Sequence, residues 1–347
     1  MEHLDAFVWS YKEMKGVHPS VYTHHIYIKE GCKLVRQPQR RMNPSLKYIV
    51  KEELQKLLDA WFIFPISNNE WVSSLVLVPK KNGKWRICVD YRELNKATKK
   101  DHFPLPFIDH VLDGPIGKKF FSFLDGFSRY NQIQLSPEDQ DKTTITCPWG
   151  NFAYRVLPFG LCNAPTTFQR KVLSIFVELV HDAVEIYMDD FTPYGCDFQE
   201  ALSNLGKVLN KCIEMNLSLS PKKCEFLMIA GTVLGHSISQ KGLQVYPNKI
   251  AIIQIVPALQ KQRDVRIFLG LARYYRRFIK YFSKLASPLF GLLAKDSKFV
   301  WSESCQEALD TLKDKLTTAP ILWGPNWALP FHIHVDSSHK AIGAVLG

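Results

Sequence analysis

At 347 residues the chain is long enough for two or three domains with cores of their own, and 46% hydrophobic against 22% charged residues excludes a disordered tail. The 44 Lys plus Arg against 33 Asp plus Glu leave a formal charge of +11, which favours a polyanionic partner. The eight cysteines form no CxxC pair, which argues against a zinc site and a disulfide framework and fits a reducing compartment. Met1-Glu2-His3 opens without a charged-then-apolar leader, and the most apolar run, residues 250–259, is short and broken by Gln254 and Pro257. Neither secretion nor a membrane span is therefore expected.

In chain order, a basic cluster at Arg36, Arg40 and Arg41 precedes the helix-start pair Asn43-Pro44. Behind that pair Leu46, Ile49, Val50, Leu54, Leu57, Leu58 and Trp61 keep helical spacing and predict a core-facing helix. Residues 72–78 and 85–89 read as strands joined by Lys81-Asn82-Gly83-Lys84, and Asn-Gly is a strong hairpin signal. The hairpin carries Lys80, Lys81, Lys84 and Arg86. Lysines at such a tip either meet phosphate or guard a sheet edge, and charge alone does not choose. Past the turn-rich Phe103-Pro104-Leu105-Pro106 come a short helix through Leu112 and a strand, Lys119-Phe120-Phe121-Ser122-Phe123-Leu124, that ends on Asp125, with Tyr130 following. Strands at 143–147 and 152–156 flank a turn at Trp149-Gly150 and lead into Leu157-Pro158-Phe159-Gly160-Leu161. Asn163-Ala164-Pro165 then opens a helix to about Val180, with Phe168, Val172, Ile175, Phe176 and Leu179 on its apolar face.

The next stretch, Ile186-Tyr187-Met188-Asp189-Asp190-Phe191, puts adjacent carboxylates between two apolar, β-prone runs. Side chains alternate faces along a strand, so the two can share one site only at a tight turn, where the alternation breaks. Two readings are open. One is a solvent-facing Asp-Asp hairpin turn; the other is a metal site, because ionised carboxylates crowded together repel unless a divalent cation sits among them. Asp125, ending its own strand, would make a third ligand for a pair of Mg²⁺ ions. Asp197 with Glu200 resembles a capping box for a helix whose Phe198, Ala201, Leu202, Leu205, Val208, Leu209 and Cys212 recur at threes and fours. The order from Asp125 onward fits the β-α-β-β-α-β pattern of a ferredoxin-like unit. Beyond Pro221, Thr232 to Ile238 reads as a short strand pair, and the chain turns helical after Pro247. From Arg263 to Lys280, Val265, Phe268, Leu269 and Ala272 form an apolar side. Arg266, Arg273, Arg276, Arg277 and Lys280 interleave there with Tyr274 and Tyr275, as phosphate and base contacts or as a solvated face. A helix over 303–316 and one strand over 331–335 reach Asp336, and the apolar ending at Gly347 suggests a domain cut short.

Together the motifs resemble the reverse transcriptases, and within them the polymerase region of long-terminal-repeat retrotransposons of the Ty3/Gypsy type, close to those of plants. The resemblance spans nearly the whole chain. It is carried by Trp71-Val72-Ser73 with Val78-Pro79-Lys80-Lys81-Asn82-Gly83, by Arg86 to Asn95, by Phe123-Leu124-Asp125 with Tyr130, and by Leu157 to Gln169. Tyr187 to Asp190, Val233-Leu234-Gly235-His236 and Arg263 to Pro288 complete it. It implies an α+β right-hand polymerase with fingers, ferredoxin-like palm, thumb and connection, followed by the start of a ribonuclease H-like domain. The expected division is 1–70 approach segment and fingers helix, 71–122 fingers with part of the palm, 123–217 palm with a fingers insertion, 218–262 thumb, 263–327 connection and 328–347 ribonuclease H-like start.

By the same resemblance Asp125, Asp189 and Asp190 would hold two Mg²⁺, with Mn²⁺ as a substitute. Lys80 and Arg86 would neutralise the incoming dNTP, Tyr130 would exclude a 2′-hydroxyl, and Phe159, Gly160 and Gln169 would line the pocket beneath the templating pair. Met188 and Leu234-Gly235-His236 would meet the primer strand, the latter as a primer grip. Asp336 resembles the first carboxylate of a ribonuclease H site, and standing alone it predicts no ribonuclease H activity. The implied function is RNA-directed DNA synthesis on an RNA template or DNA primer-template, in a cytoplasmic virus-like particle or the nucleus, with a second copy or other polyprotein segments as further candidate partners. The alternative is a decayed or host-retained copy that binds nucleic acid without polymerising. Pro193 is the departure that suggests it, since a proline cannot donate to a central strand's ladder. With no Asp-Thr-Gly or Asp-Ser-Gly protease motif and no zinc-binding integrase signature, the chain is expected to be part of a larger polyprotein or a genomic remnant.

Overall fold

The computed structural model describes residues 3–20, 22–67, 69–79, 85–257, 259–295, 298–324, 330, 332–337 and 342–346, without the side chains of Arg86, Asp336 and a few other strand residues. The chain divides into two compact units, Met1–Gln240 and Lys241–Gly347.

The first unit begins with β1 (Thr23–His24), α1 (Pro44–Asp59), β2 (Ile63–Pro65), β3 (Ser73–Pro79), β4 (Trp85–Val89), α2 (Arg92–Ala97) and α3 (Ile108–Asp113). It continues through β5 (Phe120–Asp125), β6 (Gln134–Leu135), β7 (Ile145–Cys147), β8 (Gly150–Tyr154), α4 (Ala164–Ile175), β9 (Val184–Tyr187), β10 (Asp190–Gly195) and α5 (Phe198–Glu214), and ends with β11 (Glu225–Met228), β12 (Ala230–Val233) and β13 (His236–Ser239). Two sheets result. Strands β2-β8-β7-β3-β4 form the fingers sheet, and β11-β5-β10-β9 form an antiparallel palm sheet. In chain order the palm strands are β5, α4, β9, β10, α5, β11, so the strand written first lies between the last and the third, which is the ferredoxin-like arrangement expected.

Local chemistry explains these boundaries. The Asn43 carboxamide accepts the Ser45 N–H at 3.2 Å and Pro44 opens α1, as the sequence predicts. Trp61 departs from its expected core role: α1 stops at Asp59, and Trp61 takes a left-handed φ of 60° with its ring 73% exposed. Asp197 accepts the Glu200 N–H at 2.8 Å while the Glu200 carboxylate accepts the Cys196 N–H at 2.6 Å, so α5 starts from a reciprocal cap displaced by one residue. Helix α4 ends at Ile175, short of the expected Val180. The chain there tightens into turns, with Leu179 N–H on the Phe176 carbonyl at 2.8 Å, yet Phe176 still packs on Phe191 at 5.5 Å between rings. Asn163 does not cap α4; its amide instead accepts the Asp101 N–H and donates to the Lys99 carbonyl, fastening the preceding loop. The palm core combines Leu124, Ile186 and Phe191 from the sheet with Phe168, Val172, Val208 and Leu209 from α4 and α5.

The second unit holds β14 (Gly242–Val245), α6 (Pro247–Gln254), α7 (Gln262–Tyr274), α8 (Phe282–Gly291), α9 (Glu303–Thr317), β15 (Ile333–Ser337) and β16 (Ile342–Leu346). Val265, Phe268, Leu269 and Ala272 are buried as the spacing predicts, whereas Tyr275 is buried too and belongs to the core rather than to a stacking surface. The end of the chain forms two strands, not one: β15 and β16 pair antiparallel from Ile333↔Leu346 to Ser337↔Ile342. The apolar residues Ala344, Val345 and Leu346 thus pair with Val335, His334 and Ile333. Among the described residues no helix is long and apolar enough to cross a membrane.

Candidate active site

Asp125 is the last residue of β5 and Asp190 the first of β10, and the register pairs them directly, Asp190↔Asp125. Directly opposed residues project to the same face of a sheet, so both carboxylates leave the side of the palm away from α4 and α5. Tyr187↔Asp190 closes the β9–β10 hairpin, which leaves Met188 and Asp189 as a two-residue turn. Met188 takes a φ of 55°, a left-handed conformation that costs a side chain on the order of 1 kcal/mol. It is held there by the fully buried Gln169, whose amide oxygen accepts the Met188 N–H at 2.5 Å. The turn breaks the alternation, and Asp189 swings to the same side as its neighbour. Asp125, Asp189 and Asp190 each place a carboxylate oxygen within 4.8 Å of the others.

Two cations answer this charge. The Arg129 guanidinium pairs with Asp189, and the Lys223 ammonium donates to Asp125 at 2.8 Å. Asp190 accepts from neither among the hydrogen bonds described. Its pKa is pushed up to about 6, first by burial of the carboxyl and then by the charges of Asp189 and Asp125. The residue still shows a solvent-exposed side. Burial also raises Asp125, with Lys223 pulling the other way. Surplus negative charge, oxygen ligands and an open side fit a divalent cation. A cleft of about 340 Å³ lies beside the carboxylates, lined by Asp125, Asp190, Thr192, Lys223, Gly231 and Leu234 among others. Gly231 lets β12 approach this closely, since a Cβ there would strike the Phe123 ring.

The other expected site residues gather unevenly. Tyr130 is buried, with its ring 5.0 Å from that of Phe159 and 5.9 Å from Phe168; Phe159 is exposed. Gly160 has a φ of 106° that favours glycine, and its carbonyl accepts from Asn95 at 2.8 Å. Leu234 and Gly235, with φ of 45° and 70°, form the two-residue turn between β12 and β13, closed by Val233↔His236. Leu234 lines the carboxylate cleft, and the His236 ring lies 3.0 Å from the Leu234 carbonyl, inside its own hairpin. Lys80 falls outside the described residues, as do the side chains of Arg86 and Asp336.

Sequence reasoning missed Arg129 and Lys223. Arg129 stands next to Tyr130 and four positions after Asp125, a signal that was available. Lys223 is 98 residues from its partner, and nothing local marks it. It also missed Asp90, which gathers Arg40 at 2.7 Å and Arg92 at 2.6 Å; the Arg92 contact foremost holds the carboxyl down at about 2. Pro193 lies in a central strand. It faces Val184 on β9, and the recorded pairs of β10 with β5 lapse at Thr192 and Pro193 before resuming at Tyr194↔Phe121. Antiparallel alternation turns the proline nitrogen toward β5, opposite Ser122, so the missing donor is on that side.

The palm topology and the paired carboxylates define the right-hand polymerase fold. Residues 78–271 match the family model described as "Reverse transcriptase (RNA-dependent DNA polymerase)", and residues 301–347 match that of the "RNase H-like domain found in reverse transcriptase". The chain belongs to the reverse transcriptase family. It is 38% identical over 333 residues to the "Retrovirus-related Pol polyprotein from transposon 412" of Drosophila melanogaster, covering 94% of this chain and 27% of that protein. The "Transposon Tf2-3 polyprotein" of Schizosaccharomyces pombe is 34% identical over 272 residues, covering 78% and 20%. The chain thus spans about a fifth to a third of such relatives. A fly and a yeast lend no support to the expected plant affinity. Among solved structures, the foamy viral protease-reverse transcriptase superposes with a TM-score of 0.80 in its complex with RNA/DNA hybrid, over 94% of this chain and 45% of that one. With dsDNA the score is 0.82, over 96% and 70%, both at 22% identity. These last likenesses concern the fold.

Proposed function

We propose that this chain is the RNA-directed DNA polymerase part of a retrotransposon Pol polyprotein, extending a primer 3′-hydroxyl with dNTPs on an RNA or DNA template. The observation that carries this reading is the convergence of Asp125, Asp189 and Asp190 within 4.8 Å on the open face of the palm. In the reaction the primer oxygen bonds to the α-phosphorus, the α–β phosphoanhydride bond breaks and pyrophosphate leaves. The three aspartates would hold two Mg²⁺, or Mn²⁺ in their place. Such ions acidify the primer hydroxyl and neutralise charge that builds on the phosphates.

The protein's own tasks are positional. Gln169 fixes the strained Met188 and so aims Asp189 and Asp190. Tyr130, packed against Phe159 and Phe168, would wall the sugar site and leave no room for a 2′-hydroxyl. Gly160 would bring bare backbone up to the nucleotide, and the Leu234-Gly235 turn, with His236 closing it, would steer the primer end toward the carboxylates. Lys80 and Arg86 would counter the triphosphate, Arg86 bidentately. The division into fingers, palm, thumb and connection at the boundaries given above belongs to this same proposal, as does action in a virus-like particle or the nucleus. The net charge of +11 supports duplex binding that weakens with salt.

Primer extension on poly(rA)/oligo(dT) tests the reading: purified protein should incorporate dTTP with Mg²⁺ and stop when EDTA is added. No incorporation with either Mg²⁺ or Mn²⁺ would overturn it.

A further inference from the structure

Arg129 is the best-secured cation at the carboxylates. Its guanidinium pairs with Asp189 while lying over the Tyr130 ring at 4.7 Å and the Phe159 ring at 5.9 Å. Among the described residues Lys223, on Asp125, has no such aromatic support, and its side chain is 61% exposed against 29% for Arg129. An exposed lysine pair is weak and readily exchanged, whereas an arginine that is both ion-paired and stacked gives up two interactions when it leaves.

We infer that Arg129 is a built-in counter-ion that occupies Asp189 and must be displaced before a divalent cation can bind there, so that it sets how much metal the site requires. The inference rests on the carboxylates being a metal site, as proposed above. Asp189 cannot offer the same oxygen to both cations, because a guanidinium in hydrogen-bonding contact fills the coordination position a metal would take. The arginine also neutralises part of the surplus charge in the metal-free protein. One side chain thereby stabilises the palm and competes with a metal for the same carboxylate. The stack on Tyr130 and Phe159 further places the guanidinium beside the proposed sugar wall, so metal loading and clearance of the nucleotide pocket are coupled through the same movement.

The test is Mn²⁺ binding to the full chain, read from the loss of the free-ion electron paramagnetic resonance signal, in wild type, Arg129→Gln, Arg129→Lys and Asp189→Asn. Arg129→Gln keeps a planar amide over the rings without the charge and should bind Mn²⁺ roughly tenfold more tightly, about what one partly shielded ion pair is worth. Arg129→Lys, charged but unstacked, should fall between. Asp189→Asn should bind weakly. A melting experiment gives an independent reading: Arg129→Gln should melt below wild type in EDTA, and the gap should close in saturating Mn²⁺. Equal affinities for wild type and Arg129→Gln, or a melting gap that metal leaves unchanged, would overturn the inference and leave the metal site standing, since Arg129 would then be a packing residue. Absence of Mn²⁺ binding in both proteins would instead remove the metal site and the inference with it.

Discussion

Glu185 and Asp190 lie on the same face of the palm sheet, because Thr192 pairs with Glu185 and shares its face with Asp190. Both carboxyls have raised pKa values with burial as the leading cause, yet their surroundings differ in kind. Glu185 is 2% exposed and enclosed by polar and backbone neighbours: the His181 ring at 3.1 Å, the Tyr194 hydroxyl at 3.4 Å, and Gly114, where any Cβ would run into the carboxylate. Asp190 has Asp189 and Asp125 beside it, and the cations near them sit on long side chains that can withdraw. A buried acid hydrogen-bonded by its polar neighbours is part of the structure. One crowded by like charges, with an open side, is arranged for something that arrives later.

The largest expected effect separates these two places outright. Asp189→Asn should lower primer extension by about a thousandfold or more, on the order of 4 kcal/mol of lost transition-state stabilisation, while the melting temperature changes little. Glu185→Gln should keep extension within a few-fold of wild type, since the amide still accepts from His181 and meets the Tyr194 hydroxyl. If Glu185→Gln lost activity as completely as Asp189→Asn, the distinction would fail.

His24 extends the structural side of the comparison to a base. It is 3% exposed, its ring 2.9 Å from the Thr167 hydroxyl, and burial brings its pKa down to about 4. Between that value and the ordinary 6.5 the unfolded chain binds a proton that the folded chain refuses, so stability is lost as pH falls through this window. The loss reaches roughly 3 kcal/mol. Denaturant midpoints at pH 7.5 and 4.5 should therefore differ more for wild type than for His24→Gln, and equal differences would remove His24 from the account.

The smallest effect concerns the strand that carries Asp190. Pro193→Val restores a donor opposite Ser122 and should add about 1 kcal/mol, a rise of a few degrees in melting temperature. A flat result would mean that the gap in the ladder is already satisfied.

Much of this was legible because local chemistry decides it. Asn43-Pro44 and Asp197 with Glu200 state helix starts, and apolar spacing gives the buried faces of α4, α5 and α7, except that Phe198 and Leu202 in the first turns of α5 are exposed rather than core-facing. The adjacent aspartates announced a turn, and a turn is what brings them to one site. What was not legible depends on distance or on competition. Lys223 reaches Asp125 across the fold, and β16 is apolar in a way that pattern alone reads as an unfinished run. Trp61 kept helical spacing one step beyond a helix that had already stopped. Asn163 had the chemistry of a cap and spent it on the 99–101 loop instead.

The claim that the carboxylates are held in repulsion for a cation is tested most directly at Asp190. Melting of wild type and Asp190→Asn should be compared at pH 8 in EDTA and in Mg²⁺. A folded pKa above the unfolded one means that the ionised carboxylate weakens the metal-free fold above about pH 6, so removing its charge should help. The account predicts that Asp190→Asn melts higher than wild type in EDTA, that Mg²⁺ raises the wild type, and that Mg²⁺ leaves the variant nearly unmoved. A variant that melts lower in EDTA, or that gains as much from Mg²⁺ as wild type does, would contradict it.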